Sequence, residues 1–258
     1  MPGRLVFITG ASSGIGQALA ARFYGAGYRL ALVARRIDEV QRWAGEVGIE
    51  RARLGIYAAD VCDVAAIVDV GRACIAAQGL PDVVIANAGI SIGFDTAELA
   101  DLEVMRRTFE TNNLGMAATF HPFVAAMRER RSGTLVGIAS VAGIRGVPGH
   151  GAYCSSKAAV ATYCESLRGE LRPFGVKVVT IAPGYIDTPL TRGNRYAMPF
   201  LMSAADFADR ARRAIEGGAS WRVIPWQMGI VARLLRLMPN TLFDRLLARR
   251  PRKHRQGE

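Results

Sequence analysis

The sequence predicts an α/β fold in which helices cover both faces of a parallel β-sheet. Several apolar runs, such as Leu30–Val33, Val83–Ala86 and Val176–Ile181, are nearly continuous, as in strands that are buried on both faces of a sheet. Segments with helical spacing separate these runs, which is the alternation expected of βαβ units. Half of the 258 residues are hydrophobic and 21% are charged, so the chain can bury a sizeable core and is not intrinsically disordered.

Taken in order, the pattern predicts about seven strands joined by helices. We expect strands at 4–8, 29–34, 53–58, 82–86, 134–139, 176–182 and 220–225. Helical spacing is clearest at 14–26, 63–78, 155–172 and 204–216. No repeat or linker is visible before residue 190, so we expect one domain over residues 1–258, in which 191–258 adds a lid, the last strand and a C-terminal amphipathic helical extension.

A glycine-rich turn, Thr9–Gly16, follows the first predicted strand and precedes the first helix. Glycines allow a tight turn and a close backbone approach, and the free N–H groups at the helix start can then hold a pyrophosphate. The spacing Gly-x-x-x-Gly-x-Gly is neither the Rossmann Gly-x-Gly-x-x-Gly nor a P-loop, and a plain strand-to-helix connection is the alternative. The residues expected to contact a cofactor here are Gly10, Ser12, Ser13, Gly14, Ile15 and Gly16.

Two arginines, Arg35 and Arg36, end the second predicted strand. An acidic residue at this place would accept hydrogen bonds from the adenosine ribose of NAD. Arginines instead offer charged donors to a 2′-phosphate, which favours NADP(H) over NAD(H). The alternative is that both side chains are simply solvated at the start of the next helix.

Tyr153 and Lys157 form an i,i+4 pair at the start of a helical pattern, so a phenol and an ammonium can address the same point. A free tyrosine titrates at about pH 10, and a neighbouring ammonium lowers that pKa. Ser140 follows another buried strand, at the kind of strand end where open α/β sheets bind ligands. By itself, a Tyr-x-x-x-Lys pair is a common accident and more often belongs to an ordinary helix surface.

The motifs occur in a single order along the chain: Thr9–Gly16, Asp60–Val61, Asn87–Gly89, Asn112–Gly115, Ser140, Tyr153 with Lys157, and Pro183–Gly184. Over at least residues 4–190 this order and spacing resemble the short-chain dehydrogenase/reductase superfamily. The resemblance implies a Rossmann-type doubly wound sheet of about seven parallel strands flanked by helices. It also implies a nicotinamide cofactor and a substrate with a carbonyl or alcohol carbon.

The resemblance further implies a role for each matching residue. Tyr153 would be the general acid in carbonyl reduction, Lys157 would hold the nicotinamide ribose and depress the Tyr153 pKa, and Ser140 would orient the substrate oxygen. By the family's Asn-x-x-Gly spacing, Asn112 rather than Asn113 would anchor a water that relays protons. The remaining cofactor contacts that the resemblance implies are Asp60, Val61, Asn87, Ala88, Gly89, Pro183, Gly184, Ile186 and Thr188.

The last quarter of the chain is strongly basic, because residues 191–258 hold 14 of the 33 Lys and Arg but only 5 of the 22 Asp and Glu. The segment Thr191–Ser203 is expected to cover the substrate, or alternatively to pack on the sheet. A last strand, Trp221–Trp226, leads to two amphipathic helices, Met228–Met238 and Pro239–Arg250. In the lid the notable side chains are Arg192, Asn194, Arg195, Tyr196, Met198, Phe200 and Met202; in the second helix Leu242, Phe243, Leu246 and Leu247 share one face.

Three destinations compete for the C-terminal helices and the basic stretch 249–255. The helices can pack on the sheet edge or on a second subunit, which is the commonest role of an amphipathic helix. They can instead lie on an anionic membrane, which resembles lipid- and steroid-handling dehydrogenases whose C-terminal helices border the substrate entrance. Contact with nucleic acid is not expected, since no recognition motif accompanies the charge. The superfamily resemblance also implies a homodimer or higher homo-oligomer, formed through helices within 98–130 and 152–173.

The function that the sequence predicts is hydride transfer between NADPH and a carbonyl or alcohol carbon of a hydrophobic substrate. His150, in the loop before Tyr153, either touches that substrate or is structural. The cysteines show no CxxC spacing and no metal-binding cluster is visible, so we expect no metal and a cytoplasmic location, with peripheral membrane association as an alternative. Two alternative functions stay open: an NADP-binding sensor without turnover, and a membrane-associated binding protein.

Overall fold

The computed structural model describes residues 3–194, 196–248 and 251–255. Its strands are β1 (Leu5–Thr9), β2 (Arg29–Ala34), β3 (Leu54–Ala58), β4 (Val83–Ala86), β5 (Thr134–Ile138), β6 (Lys177–Pro183), β7 (Ile186–Asp187), β8 (Met202–Ser203) and β9 (Trp221–Ile224). Seven of them form one parallel sheet in the order β3-β2-β1-β4-β5-β6-β9, while β7 and β8 pair separately. The predicted doubly wound sheet is therefore confirmed.

Helices lie against both faces of this sheet. Two clusters of buried apolar side chains, one on each face, hold the helices to the strands. They are α1 (Gly14–Gly25), α2 (Ile37–Glu46), α3 (Val64–Gln78), α4 (Asp101–Phe109), α5 (Gly115–Arg130), α6 (Gly151–Leu171), α7 (Pro189–Arg192), α8 (Ala204–Glu216), α9 (Trp226–Leu237) and α10 (Asn240–Leu247). Because β1 lies where the strand order reverses, a crevice opens beside its carboxyl end, as doubly wound sheets require.

The helix that carries Tyr153 and Lys157 packs closely on the sheet because a glycine faces it. A Cβ at Gly137 in β5 would overlap the Cys164 thiol of α6. This close approach brings the first turns of α6 next to the carboxyl end of β5, where Ser140 follows. The helix begins at Gly151, four residues before its predicted start, so Tyr153 already lies within its first turn.

The C-terminal part departs from prediction in three places. Trp226 is not in the last strand, because Pro225 has no N–H to continue the ladder and α9 begins after it. The predicted lid ends in β8, so its last residues pair with β7. The predicted helix Pro239–Arg250 is shorter, Asn240–Leu247, and Arg249, Arg250 and the lid residue Arg195 lie outside the described residues.

The predicted apolar face of α10 is also divided between two environments. Phe243 is buried, whereas Leu242 and Leu246 are exposed. The helix therefore turns one apolar edge inward and leaves the other on the surface. Among the described residues, no helix is both long enough and apolar enough to cross a membrane.

Candidate active site

A long cleft lies at the carboxyl ends of the central strands, and nearly every residue predicted to contact a cofactor lines it. Two predicted residues, Gly16 and Asn112, are not on its surface and support it from behind. The residues that the cleft brings together are Gly10, Ser12, Ser13, Gly14, Ile15, Arg35, Arg36, Asp60, Val61, Asn87, Ala88, Gly89, Ser140, Tyr153, Lys157, Pro183, Gly184, Ile186 and Thr188.

The glycine-rich turn has the geometry of a phosphate-binding cradle. Gly10 has a φ of 67°, and a Cβ there would come within 2.9 Å of the Ala88 Cα. A Cβ at Gly16 would collide with the Gly10 carbonyl oxygen. Ser13 precedes α1 without capping it by its side chain, and no acidic residue occupies the first turn of that helix. The N-terminus of α1 therefore faces the cleft with its positive dipole end uncompensated, which fits a pyrophosphate.

Asn87 holds this turn in place from the neighbouring strand. Its Nδ2 donates to the carbonyl oxygens of Thr9, at 3.0 Å, and Gly10, at 3.2 Å. Its backbone N–H donates in turn to the Thr9 hydroxyl at 3.2 Å. The residue thus shapes the cofactor cleft by fixing the backbone of the turn as well as by lining it.

The two arginines at the end of β2 are exposed and lightly held. The Arg35 Nη1 lies 3.3 Å from the Asp60 Oδ2, and the Arg36 Nε lies 2.7 Å from the Glu39 Oε1. Exposed pairs of this kind contribute about 0–1 kcal/mol, so a dianionic phosphate in the cleft could recruit both guanidinium groups. Both side chains therefore fit the 2′-phosphate site that the sequence predicts.

Tyr153, Ser140 and Lys157 all line the cleft. Burial raises the pKa of Tyr153, and a hydrogen bond with the Ser140 hydroxyl acts in the opposite direction. The Lys157 Nζ lies 5.9 Å from the centre of the Tyr153 ring and donates to the Ile138 carbonyl oxygen at 2.8 Å. Burial lowers the pKa of Lys157 to about 8. Burial thus raises the pKa of Tyr153 in this structure, whereas the sequence predicts that the Lys157 ammonium lowers it.

Asn112 lies in a wide helical turn that joins α4 to α5. Residues Glu110–Leu114 form one turn of π-helix, a feature that often marks functional sites. The Asn112 Oδ1 accepts the Ile90 N–H at 2.9 Å, and its Nδ2 donates to the Ser156 hydroxyl at 2.9 Å. A Cβ at Gly89 would lie 3.1 Å from the Asn112 Oδ1 and 3.4 Å from the Lys157 Nζ. Asn112 and Lys157 therefore flank the same small glycine.

A second pocket adjoins the cleft at Ser140 and Tyr153, which line both. His150 lines this pocket and is buried, and its Nε2 lies 3.2 Å from the Tyr196 hydroxyl. Tyr196 belongs to the predicted lid, so the lid does border this space. The wall away from Tyr153 is mainly apolar and includes Val147, Leu190, Met228, Val231, Leu235 and Phe243.

Arg145 is a structural part of this pocket that sequence reasoning missed. Its guanidinium carbon lies 3.8 Å from the centre of the Phe243 ring, and its Nη1 donates to the carbonyl oxygens of Met238, at 2.7 Å, and Leu235. These carbonyls end α9, where a cation is favoured. Arg145 thus connects both C-terminal helices to the loop after Ser140, a contact across some 90 residues that no local pattern signals.

The end of the chain returns over the site. We call residues 251–255 the C-terminal segment. The Gly93 N–H donates to the His254 carbonyl oxygen at 2.8 Å. Arg252 pairs with Asp95 at 3.3 Å, and the Arg255 Nε donates to the buried Asp101 at 2.8 Å. The hydrogen bond from Arg255 is the main reason why the pKa of Asp101 lies below its usual range.

Two of the basic residues in the stretch 249–255, Arg252 and Arg255, are therefore paired within the chain. The acidic partners all lie in one short stretch, 95–101. Within the ranges that the structure describes, no group of three or more His, Cys, Asp or Glu side chains is placed to hold a metal ion.

The comparisons with known proteins agree with this geometry. A family model described as short chain dehydrogenase matches residues 4–198. An uncharacterized oxidoreductase of Myxococcus xanthus is 38% identical over 241 residues, which are 93% of this chain and 95% of the relative. The chain therefore belongs to the short chain dehydrogenase family, and the family supports nicotinamide-dependent oxidoreduction of an alcohol or carbonyl carbon.

Two solved structures show how closely the fold is shared. A short chain dehydrogenase of Burkholderia cenocepacia in complex with NADP has a TM-score of 0.80 and 26% identity, covering 95% of this chain and 98% of that one. A short chain dehydrogenase/reductase of Burkholderia phymatum in complex with NAD has a TM-score of 0.81, with 96% of each chain covered, but at 23% identity it supports the fold alone. The Burkholderia cenocepacia neighbour binds NADP, and membership of the family supports a nicotinamide cofactor for this chain.

Proposed function

We propose that this chain is an NADP-dependent reductase of a hydrophobic ketone, with Tyr153 as its general acid. The observation that carries the proposal is that Ser140 and Tyr153 line both the cofactor cleft and the apolar pocket. A carbonyl oxygen bound from the pocket side could reach the hydroxyls of both residues while its carbon faces the cleft. Bound NADPH would supply the hydride.

The chain's own residues would then orient the carbonyl and deliver a proton. Ser140 would hold the carbonyl oxygen, and Tyr153 would transfer its phenolic proton to it as negative charge develops. Since burial raises the Tyr153 pKa, the phenol is protonated at neutral pH and suited to the acid role. Lys157 and Asn112 flank Gly89, and the Lys157 ammonium could return a proton to the phenolate through a water held by Asn112.

The preference for NADP is supported by the positions of Arg35 and Arg36. Both line the cleft beyond the end of β2, and each is held only by an exposed ion pair. We expect the double variant Arg35→Ala/Arg36→Ala to bind NADPH about 10- to 100-fold more weakly, since it loses charge-assisted hydrogen bonds to the 2′-phosphate. Its affinity for NADH should change by less than about threefold, because NADH lacks that phosphate.

Fluorescence titration of both cofactors against wild type and the double variant measures this difference. Arg72→Ala is a matched control, since Arg72 is exposed and paired only with Asp69. Equal affinities of the wild type for NADPH and NADH would contradict the phosphate site while leaving the fold untouched. Oxidation of NADPH with a panel of hydrophobic ketones tests turnover directly, and binding without turnover would favour the sensor alternative.

The exposed surface of α9 and α10 supports binding of the enzyme to a membrane. Trp226, Ile230, Leu234 and Leu237 form an apolar stripe along α9, with Leu237 82% exposed. The stripe lies on the outside of the helix whose inner residues line the substrate pocket. Arg233 and Arg236 on the same helix, and Arg245 on α10, are also exposed. This combination is typical of helices that lie on anionic lipid, and it would let a hydrophobic substrate enter from the bilayer.

We expect Leu234→Gln/Leu237→Gln to bind vesicles of phosphatidylcholine and phosphatidylglycerol about tenfold more weakly than wild type, because it removes two apolar side chains from the stripe. Co-sedimentation measures the effect, and Leu99→Gln, another exposed leucine, is the control. Wild-type protein that stays in the supernatant would contradict the membrane proposal. If the same variant instead dissociates a homodimer in light scattering, the stripe is a subunit interface.

A further inference from the structure

The C-terminal segment delivers a lysine into the substrate pocket. Lys253 is half-buried, and its Nζ donates to the Ser91 hydroxyl at 3.0 Å and approaches the Leu190 carbonyl oxygen at 3.4 Å. Both of these partners line the same pocket as Tyr153. The lysine does not line the cofactor cleft, so its charge is directed to whatever occupies the pocket.

The segment around Lys253 is held firmly enough to position it. The backbone bond from Gly93 to His254 fixes it on one side, and Arg252 and Arg255 anchor it to Asp95 and Asp101. A Cβ at Gly93 would collide with the carbonyl oxygens of Lys253 and His254. The carboxylates near the C-terminal segment form ion pairs with Arg252 and Arg255, and not with Lys253.

Within the described residues, Lys253 has no carboxylate partner at ion-pair distance. A partly buried ammonium with only neutral acceptors is costly to keep charged, and burial lowers the pKa of Lys253 to about 8. The ammonium nevertheless remains the main form at neutral pH. An anionic oxygen group in the pocket would supply the missing counter-charge.

We propose that Lys253 is a specificity-determining residue which binds an anionic oxygen group, a carboxylate or a phosphate, carried by the apolar substrate. The ligand class is thus a hydrophobic chain or ring system with a carbonyl at Tyr153 and an anionic end at Lys253. This inference rests on the proposed function, since it takes the pocket beside Tyr153 as the substrate site. It narrows that function from hydrophobic ketones in general to oxo acids or oxo phosphate esters.

The test compares ligands that differ only in charge, bound to the NADPH-loaded enzyme. The probes are decanoate, decyl phosphate and decan-1-ol, titrated by calorimetry against wild type, Lys253→Met and Lys253→Arg. We expect wild type to prefer at least one anion over the alcohol by about 10- to 100-fold. Lys253→Met should lose that preference, and Lys253→Arg should retain most of it. Lys177→Met, which removes an exposed and remote lysine, should behave as wild type.

A second variant tests the segment rather than the charge. Gly93→Ala keeps Lys253 but displaces the backbone that positions it, so the preference for the anion should fall as in Lys253→Met. A preference that survives in Lys253→Met, or its absence from wild type, would overturn the proposal. A preference for only one of the two anions identifies the group.

NADPH-dependent reduction of the uncharged decan-2-one by wild type is followed in parallel. This reaction tests the proposed function apart from the anion site. Turnover without an anion preference would refute the Lys253 proposal alone. A Lys253-dependent preference without turnover of decan-2-one or of its anionic analogues 9-oxodecanoate and 9-oxodecyl phosphate would refute the reductase function alone.

Discussion

Tyr153→Phe should reduce turnover about 10²- to 10⁴-fold, the range typical of a positioned general acid, while NADPH affinity changes by less than about twofold. The substitution removes one hydroxyl, and the ring can still fill its place at the junction of cleft and pocket. The loss should therefore be in kcat rather than in KM for the cofactor. Steady-state kinetics together with NADPH titration measure both quantities.

Tyr163→Phe is the matched control, because Tyr163 lies on the same helix but is partly exposed away from the pocket. It should retain activity. A Tyr153→Phe enzyme with wild-type kcat would show that another group donates the proton.

Lys157→Met should lower turnover by at least about 100-fold and also weaken NADPH binding, in contrast to Tyr153→Phe. Lys157 lines the cofactor cleft, and its ammonium is the charge nearest the phenol along α6. The stability of the folded protein, in contrast, should not fall in this variant. Because burial lowers the pKa of Lys157 to about 8, the folded protein is penalised for its charge at pH 7, and Met removes that penalty. We expect the free energy of unfolding to be unchanged or to rise by about 1–3 kcal/mol.

Urea unfolding at pH 7 measures the stability, and Lys177→Met, at an exposed lysine, gives the background effect. The pH dependence of the free energy of unfolding tests whether the Lys157 charge destabilises the folded protein. Between pH 8 and the ordinary lysine pKa of about 10.4, the unfolded chain binds more protons than the folded one. The wild type should therefore gain stability relative to Lys157→Met as the pH rises through this window. A large loss of stability in Lys157→Met would indicate instead that its bond to the Ile138 carbonyl is essential for folding.

The fold could be predicted because each strand is marked by a short apolar run in the local sequence. Runs such as Leu30–Val33 and Val83–Ala86 are apolar on both faces, and only a sheet covered on both sides buries them. The cofactor cleft could be predicted for a related reason. Its glycines and polar residues follow directly after strands, and parallel strands bring their carboxyl ends to one edge.

The rest of the site depends on contacts between distant parts of the chain. Nothing in the sequence near Arg145 indicates that its side chain binds the carbonyl oxygens at the end of α9. Likewise, nothing near Gly93 indicates that its N–H binds the carbonyl oxygen of His254. The basic C-terminus was interpreted by its charge alone. Its acidic partners, Asp95 and Asp101, lie more than 150 residues earlier in the chain.

The small pairing of β7 with β8 has a consequence for changing the specificity of this enzyme. Ile186 faces Met202, and the Met202 N–H donates to the Tyr185 carbonyl oxygen at 3.0 Å. The two ends of the segment 188–201 are thereby held close together by a short parallel pairing, while its interior supplies Leu190 and Tyr196 to the pocket. Loops with such adjacent ends tolerate replacement, since their length adds little to the entropy of closure. Residues 188–191 also line the cofactor cleft, so the replaceable part begins after Thr191. Sequences of other lengths could be grafted between Thr191 and Met202 to reshape the pocket without touching the seven-stranded sheet.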